Sequence, residues 1–450
     1  MKRTPLLIGA LVCAALAATS SGCSKGSSRT YYSSTTSATT SGDTAGAGSA
    51  DTGATSSQGG TAPTTSSSAP PPPPPVLGSG LFVDGGARLP DSLLNDWTAA
   101  AGDVDGDGRV DLVIGAYDGL TRLLLNKVTG FVESGGAIPP LVMKSADAHL
   151  VDMDGDADLD LIVASNFQPV RVFVNNGAGQ FTLQSAQPAT NDCFTYKVAV
   201  GDVNGDARPD VLMANAGQST STQGLNVLLL NDGAGSLTPA PAGYVPLQRE
   251  DTIGIAFFDL DGDGDRDAYL ANFGVQHRLW INDGTGRFTD ATAGRLPTLV
   301  RAGCAVVAAD WNKDGRVDLF VGNEGLPVGT APPAGEANTL LINDGAGRFV
   351  DMSGTLLPSQ TEPTFNARAA DFDGDGWPDL VLSNLRAQQR LYLNRKGVMI
   401  EATGNLPPAA QVPGGDSLGL AVADFDGNQT PDVVWMRRGF KPWLFLNLPR

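Results

Sequence analysis

Aspartate recurs in this chain at a spacing that makes a cation-binding loop. Asp103, Asp105, Asp107 and Asp111 stand at positions 1, 3, 5 and 9 of a nine-residue stretch whose positions 4 and 6 are glycine. Carboxylates so spaced, on a chain turned by glycine, wrap oxygen around one hard cation, and the backbone carbonyl of position 7, here Arg109, adds a ligand. Ca2+ takes about six to eight oxygen ligands in tolerant geometry, whereas Mg2+ demands a stricter octahedron, so the stretch points to calcium. The loop is written six more times. Asp152, Asp154, Asp156, Asp158 and Asp160 form the second copy, Asp259, Asp261, Asp263, Asp265 and Asp267 the fourth, and Asp371, Asp373, Asp375, Trp377 and Asp379 the sixth, all with carboxylates at positions 1, 3, 5 and 9. In the third (Asp202, Asn204, Asp206, Arg208, Asp210) and the fifth (Asp310, Asn312, Asp314, Arg316, Asp318), asparagine replaces the second carboxylate. The seventh (Asp424, Asp426, Asn428, Thr430, Asp432) has asparagine at position 5. Asparagine keeps an oxygen but loses the charge that tunes affinity, so up to seven Ca2+ are expected, bound best by loops 1, 2, 4 and 6. One acidic turn would be an ordinary solvated hairpin; seven in register are not.

The elements around the loops exclude an EF-hand. That motif needs a bidentate Glu at position 12 and flanking helices, but position 12 of the first loop is Ile114, inside a short apolar run. Such runs follow each loop (Leu161–Val163, Leu319–Val321, Leu380–Leu382) and precede it (Lys197–Gly201, Ala305–Ala309, Leu418–Val422), so each loop joins two strands. A third apolar run ends in Asn126, Asn175, Asn231, Asn282, Asn343, Asn394 or Asn447. In four repeats an Asn-Gly or Asp-Gly turn then opens a fourth strand at Phe181, Leu237, Phe288 or Phe349. Four strands recurring every 49 to 61 residues predict one small sheet per repeat and an all-β, seven-bladed β-propeller. The seventh unit lacks a fourth strand, and Leu81–Asp84, which echoes Arg287–Asp290, is expected to supply it from the N-terminal side and close the ring.

With these motifs the chain resembles FG-GAP/VCBS-repeat proteins and is similar to the seven-bladed head of integrin alpha subunits, over about residues 80–450. A full Phe-Gly…Gly-Ala-Pro signature is absent, so the resemblance rests on the loops, the turns and the period. It implies calcium on the lower face and partner binding through the upper one; fold alone does not fix function.

Lys2 and Arg3, the apolar stretch Leu6–Ala18 and then Gly22-Cys23 read as a signal peptide over 1–22, with Cys23 lipidated as in a bacterial lipoprotein. Residues 23–79 are Ser, Thr, Gly and Ala with a proline run, too poor in apolar groups to order, and predict a tether spanning roughly 40 Å. The expected location is the outer membrane or cell surface. The loops hold 27 of the 48 acidic residues, so the net charge of −18 is mostly metal ligation, and nucleic acid is not an expected partner. Cys193 and Cys304 fall in non-adjacent repeats and are expected to stay unbridged. With two histidines, His149 and His277, no nucleophile elbow and no phosphate loop, no catalytic site is expected, although His277 or Lys197 is a conceivable base in a carbohydrate-active propeller. Arg122, Arg171, Arg278 and Arg390 recur four residues before the third-strand asparagine, which suggests a solvated or inter-blade role. The variable connections Gln184–Thr195, Gly217–Asn226, Glu324–Asn338 and Asp351–Asn366 gather on the upper face. The expected function is non-catalytic adhesion to a protein or glycan there by a monomer, with an envelope scaffold as the alternative.

Overall fold

The computed structural model describes residues 81–91, 96–184, 194–217, 224–326, 334–411 and 416–449. These form an all-β, β-propeller-like structure of consecutive four-stranded antiparallel meanders. In the first, Asp96–Gly102, Asp111–Leu120, Arg122–Lys127 and Gly130–Glu133 pair in sequence order, with the first acidic loop joining its first two strands. Among the described residues the same antiparallel pairing of first, second and third strands recurs around each of the other acidic loops, and the stretch around each loop is called a unit. The second strand of every unit begins on the position 9 aspartate, from Asp111 to Asp432.

Each sheet is buried on both faces, which is why its strands read as continuous apolar runs rather than alternating ones. Leu112 and Ile114 pack on Val434, Met436 and Leu444 of the seventh unit, while Val113 points the other way onto Leu161 and Phe173 of the second. The first strands (Asp96–Gly102, Val142–Val151, Phe194–Gly201, Thr252–Phe258, Val300–Ala309, Thr364–Ala370 and Ser417–Ala423) touch their neighbours in that order, and the last touches the first. They ring a central lumen. Phe82–Asp84 pairs with Trp443–Asn447, Phe82 opposite Asn447, and the Leu448 N–H donates to the Leu81 carbonyl at 2.8 Å. The expected donated strand is therefore in place.

One expectation needs correction. The period implied a separate sheet for each repeat, but units 1 and 2, and units 4 and 5, are fused into eight-stranded sheets. Asp111–Leu120 runs on to pair Tyr117 with Lys144, and Asp267–Gln276 runs on to pair Phe273 with Ala302. Each continuation turns through a bulge whose extra residue is left-handed, Asp118 (φ 56°) in one case and Gly274 (φ 73°) in the other. Among the described residues no helix is long and apolar enough to cross a membrane.

Candidate metal centres

Each acidic loop turns twice through left-handed backbone. In the first loop Gly106 and Gly108 have φ of 71° and 82°, and the same conformation recurs at positions 4 and 6 throughout, including at Ala157, Ala207, Lys313 and Gln429. The position 1 carboxylate fixes this path by accepting the N–H of position 6, as Asp103 Oδ2 does from Gly108 at 2.8 Å and Asp371 Oδ2 from Gly376 at 2.7 Å. The position 5 side chain accepts the N–H of position 7, which leaves the carbonyls of Arg109, Asp158, Arg208, Arg316, Trp377 and Thr430 in a fixed frame.

Position 9 is bound at both oxygens. Asp267 Oδ1 accepts the Asn282 N–H and Oδ2 the Leu260 N–H, each at 2.9 Å, and all seven units repeat the pair. Burial pushes Asp111, Asp160, Asp210, Asp267 and Asp318 up to about 6 and Asp379 and Asp432 up to about 7, despite those hydrogen bonds. The partner asparagine then reaches the preceding unit. Asn175 Nδ2 donates to the Val104 carbonyl, Asn231 to Met153, Asn282 to Val203, Asn343 to Leu260, Asn394 to Trp311 and Asn447 to Phe372, at 2.7–3.0 Å. Asn126 closes the circuit on Phe425 at 2.8 Å. The recurring asparagine visible in the sequence is thus an inter-unit clasp.

The carboxylates suit a cation. In four loops positions 1, 3 and 9 converge (Asp103, Asp105, Asp111; Asp152, Asp154, Asp160; Asp371, Asp373, Asp379; Asp424, Asp426, Asp432) with oxygens within 4.8 Å of one another. In the fourth loop Asp259, Asp261 and Asp263 do the same. Asp103 Oδ1 and Asp154 Oδ1 are buried without a donor, a costly state that a cation relieves. A cleft of about 310 Å³ is lined by Asp259 and Asp261 of the fourth loop and by Gly345. An all-oxygen, carboxylate-rich set of this kind fits Ca2+ and would hold it as an electrostatic brace between the first two strands.

Basic side chains near the loops were overlooked in the sequence. Lys127 Nζ lies 2.7 Å from both Asp105 and Asp107, and Arg395 pairs with Asp373 and Asp375. Both follow directly on the clasp asparagine, where four other units have Asn or Asp, and that position was the available signal. Arg208 and Arg316 fold onto Asp206 and Asp314 of their own loops. The repeated arginines correct another expectation, because three of them pair inside their own unit: Arg122 with Asp96, Arg278 with Glu250, Arg390 with Glu362 and Glu401. Each reaches from the third strand to the start of the first, where its carboxylate would otherwise be buried alone.

His277 is not available as a base. It is wholly buried, its Nδ1 lies 2.8 Å from the Tyr269 hydroxyl, and burial pushes it down to about 4. Cys304 is buried, with its Sγ 3.3 Å from Glu324, while Cys193 and Cys23 lie outside the described residues. Most of the variable connections, residues 185–193, 218–223 and 327–333, also lie outside them.

The end opposite the loops carries an arc of rings that single-chain patterning did not reveal. Trp97 stacks on Tyr117 at 4.2 Å, Lys144 sits over Tyr117 and Phe167 at 5.8 and 5.9 Å, and Phe167 meets Phe194 at 4.0 Å. Across the chain closure Arg438 lies over Trp97, and Arg437 over Trp443 and Phe440. Phe167 and Phe440 are 45% and 50% exposed, so part of the arc faces solvent.

The FG-GAP-like repeat model matches residues 103–163, 152–213, 202–270, 259–321, 329–382 and 371–435, each match opening on an acidic loop or running into one. Cartilage acidic protein 1 of Xenopus tropicalis is 29% identical over 189 residues, 40% of this chain and 28% of that protein. The Mus musculus protein of that name is 29% identical over 199 residues, 42% of this chain and 28% of its own length. The chain thus spans well under a third of these relatives. In structure it is similar to BBS1N, crystallised in complex with ARL6DN, with a TM-score of 0.52 over 83% of this chain and 98% of that one, at 12% identity. Loops, clasps and repeat matches together make this chain a member of the FG-GAP-like repeat family.

Proposed function

We propose that the chain is a calcium-braced, closed seven-bladed propeller that acts as a non-catalytic binding module and takes up glycan on the face opposite its loops. The arc from Phe440 through Trp97 and Tyr117 to Phe194 carries this reading, because ring faces flanked by Lys144, Arg437 and Arg438 suit sugar rings bearing hydroxyl or acidic groups. The ring of asparagine clasps supports closure, and the convergent aspartates support Ca2+ in loops 1, 2, 4, 6 and 7, with loops 3 and 5, where asparagine replaces the second carboxylate, weaker, and loop 7 weaker than the first four through Asn428. Sequence features supply the rest: Cys23 lipidated, residues 24–79 as tether and the propeller displayed at a bacterial outer membrane or cell surface as a monomer.

The reading is tested with calcium-loaded full-length protein and a panel of neutral and acidic cell-envelope glycans. Retention of a defined glycan that falls about tenfold or more in the double variant Phe167→Ser, Phe440→Ser supports it. Retention unchanged in that variant, or no retention by folded protein, contradicts it.

A further inference from the structure

The lumen of the strand ring holds a charge cluster that neither the loops nor the upper face uses. At the first register position after the bulge, units 1, 4 and 5 carry Thr98, Gly254 and Ala305, whereas units 2, 3 and 6 carry Asp147, Lys197 and Asn366. Two residues further on, units 2 and 6 add His149 and Arg368. Asp147 is 2% exposed and fully engaged: Lys197 Nζ lies 3.3 Å from Oδ1, while His149 Nε2 and the Val198 N–H lie 3.0 and 3.1 Å from Oδ2. Burial opposes its ionisation, but the Lys197 and His149 beside it, with Arg368 beyond, hold its carboxyl well below the usual range.

Arg368 is differently placed. Its Nη1 donates to Asn366 Oδ1 at 2.8 Å and to the Ala367 carbonyl at 2.9 Å, and among the described residues no carboxylate pairs with it. Units 2 and 6 are not neighbours in the ring, so Arg368 acts on Asp147 across the lumen and not through a shared sheet. The Lys197 and Arg368 side chains thus face one carboxylate already taken. Burial lowers both Lys197 and Arg368, and the charge of Asp147 opposes that lowering at each.

We propose that the lumen binds one small oxyanion, a carboxylate, sulfate or phosphate group, between the free edge of Arg368 and the Lys197 ammonium. The planar guanidinium fork matches two oxygens of such a group, the ammonium supplies a point charge, and the anion neutralises the surplus where water screens least. This site is independent of the glycan reading, since its probe is inorganic and its residues are not those of the arc.

The test is equilibrium dialysis of radiolabelled sulfate against calcium-loaded full-length protein, with chloride holding ionic strength constant. One saturable sulfate per chain is expected, weakened about tenfold or more in Arg368→Gln with the calcium-dependent melting transition unchanged. Should Arg368→Gln fail to fold, Arg368→Lys, which keeps the charge and loses the fork, is expected to weaken binding as well. No saturable binding to the native protein, or binding that every Arg368 variant retains in full (an adventitious ion only), overturns the proposal.

Discussion

The third-strand asparagine and the position 9 aspartate form one device at the scale of single residues. Asp267 holds the Asn282 backbone, and that leaves the Asn282 amide free to grip Val203 of the preceding unit at 2.7 Å. Asn282→Ala strands a buried carbonyl and is expected to cost about 1–3 kcal/mol in chemical denaturation, with an unchanged denaturant slope. A loss below a few tenths would show the clasp to be incidental. Lys127 has the opposite sense, because its ammonium competes for Asp105 and Asp107. Lys127→Met should raise calcium affinity at the first loop about three- to tenfold by calorimetry, the half-exposed lysine being partly screened. The sequence displayed both residue types, since repetition at fixed spacing marks a ligand or a clasp. It did not display their partners: Asn282 and Val203 are 79 residues apart, and Lys127 follows its loop only through a hairpin.

Each loop is an element that ionises at a cost, and pH exposes that cost. Folding raises the position 9 carboxyls from the unfolded 3.8 to about 6 or 7 by burying them, so between those values the folded form binds more protons than the unfolded one. Stability of the calcium-free protein should therefore fall as pH rises from about 5 to 8. His277, lowered to about 4, works in the other direction but is a single group against seven. With calcium bound the trend should reverse, because protons then compete for the ligand oxygens. Melting temperatures of dialysed and calcium-loaded protein at pH 5.5 and 7.5 check both signs. The loops, the apolar runs and the tight turns were legible because each is a local pattern. The fused sheets were not, for their cause is one left-handed residue, Asp118 or Gly274, in a strand that continues where its counterparts stop. Nor were the aromatic arc and the lumen cluster, whose members come from separate repeats.

Closure belongs to the whole molecule. Phe82 is 4% exposed in a cluster with Phe372, Val433 and Phe445, and its strand covers an edge that would otherwise be bare. Phe82→Ala should cost about 3–5 kcal/mol, and removing residues 1–85 should lower the melting temperature far more than removing residues 1–75, which leaves that strand intact. Equal melting of the two truncations would mean that the donated strand does not secure the ring. The legible part of this scale was the echo of Arg287–Asp290 in Leu81–Asp84; the circuit of asparagines was visible only once the strands were in place. Calcium that braces the ring through its acidic loops is measured most directly as calcium binding by full-length protein in equilibrium dialysis, with melting followed in parallel. At least five ions per chain are expected, one for each convergent carboxylate set, with a melting temperature that climbs as they load. Fewer than two ions, or a melting temperature indifferent to calcium, would contradict a calcium brace.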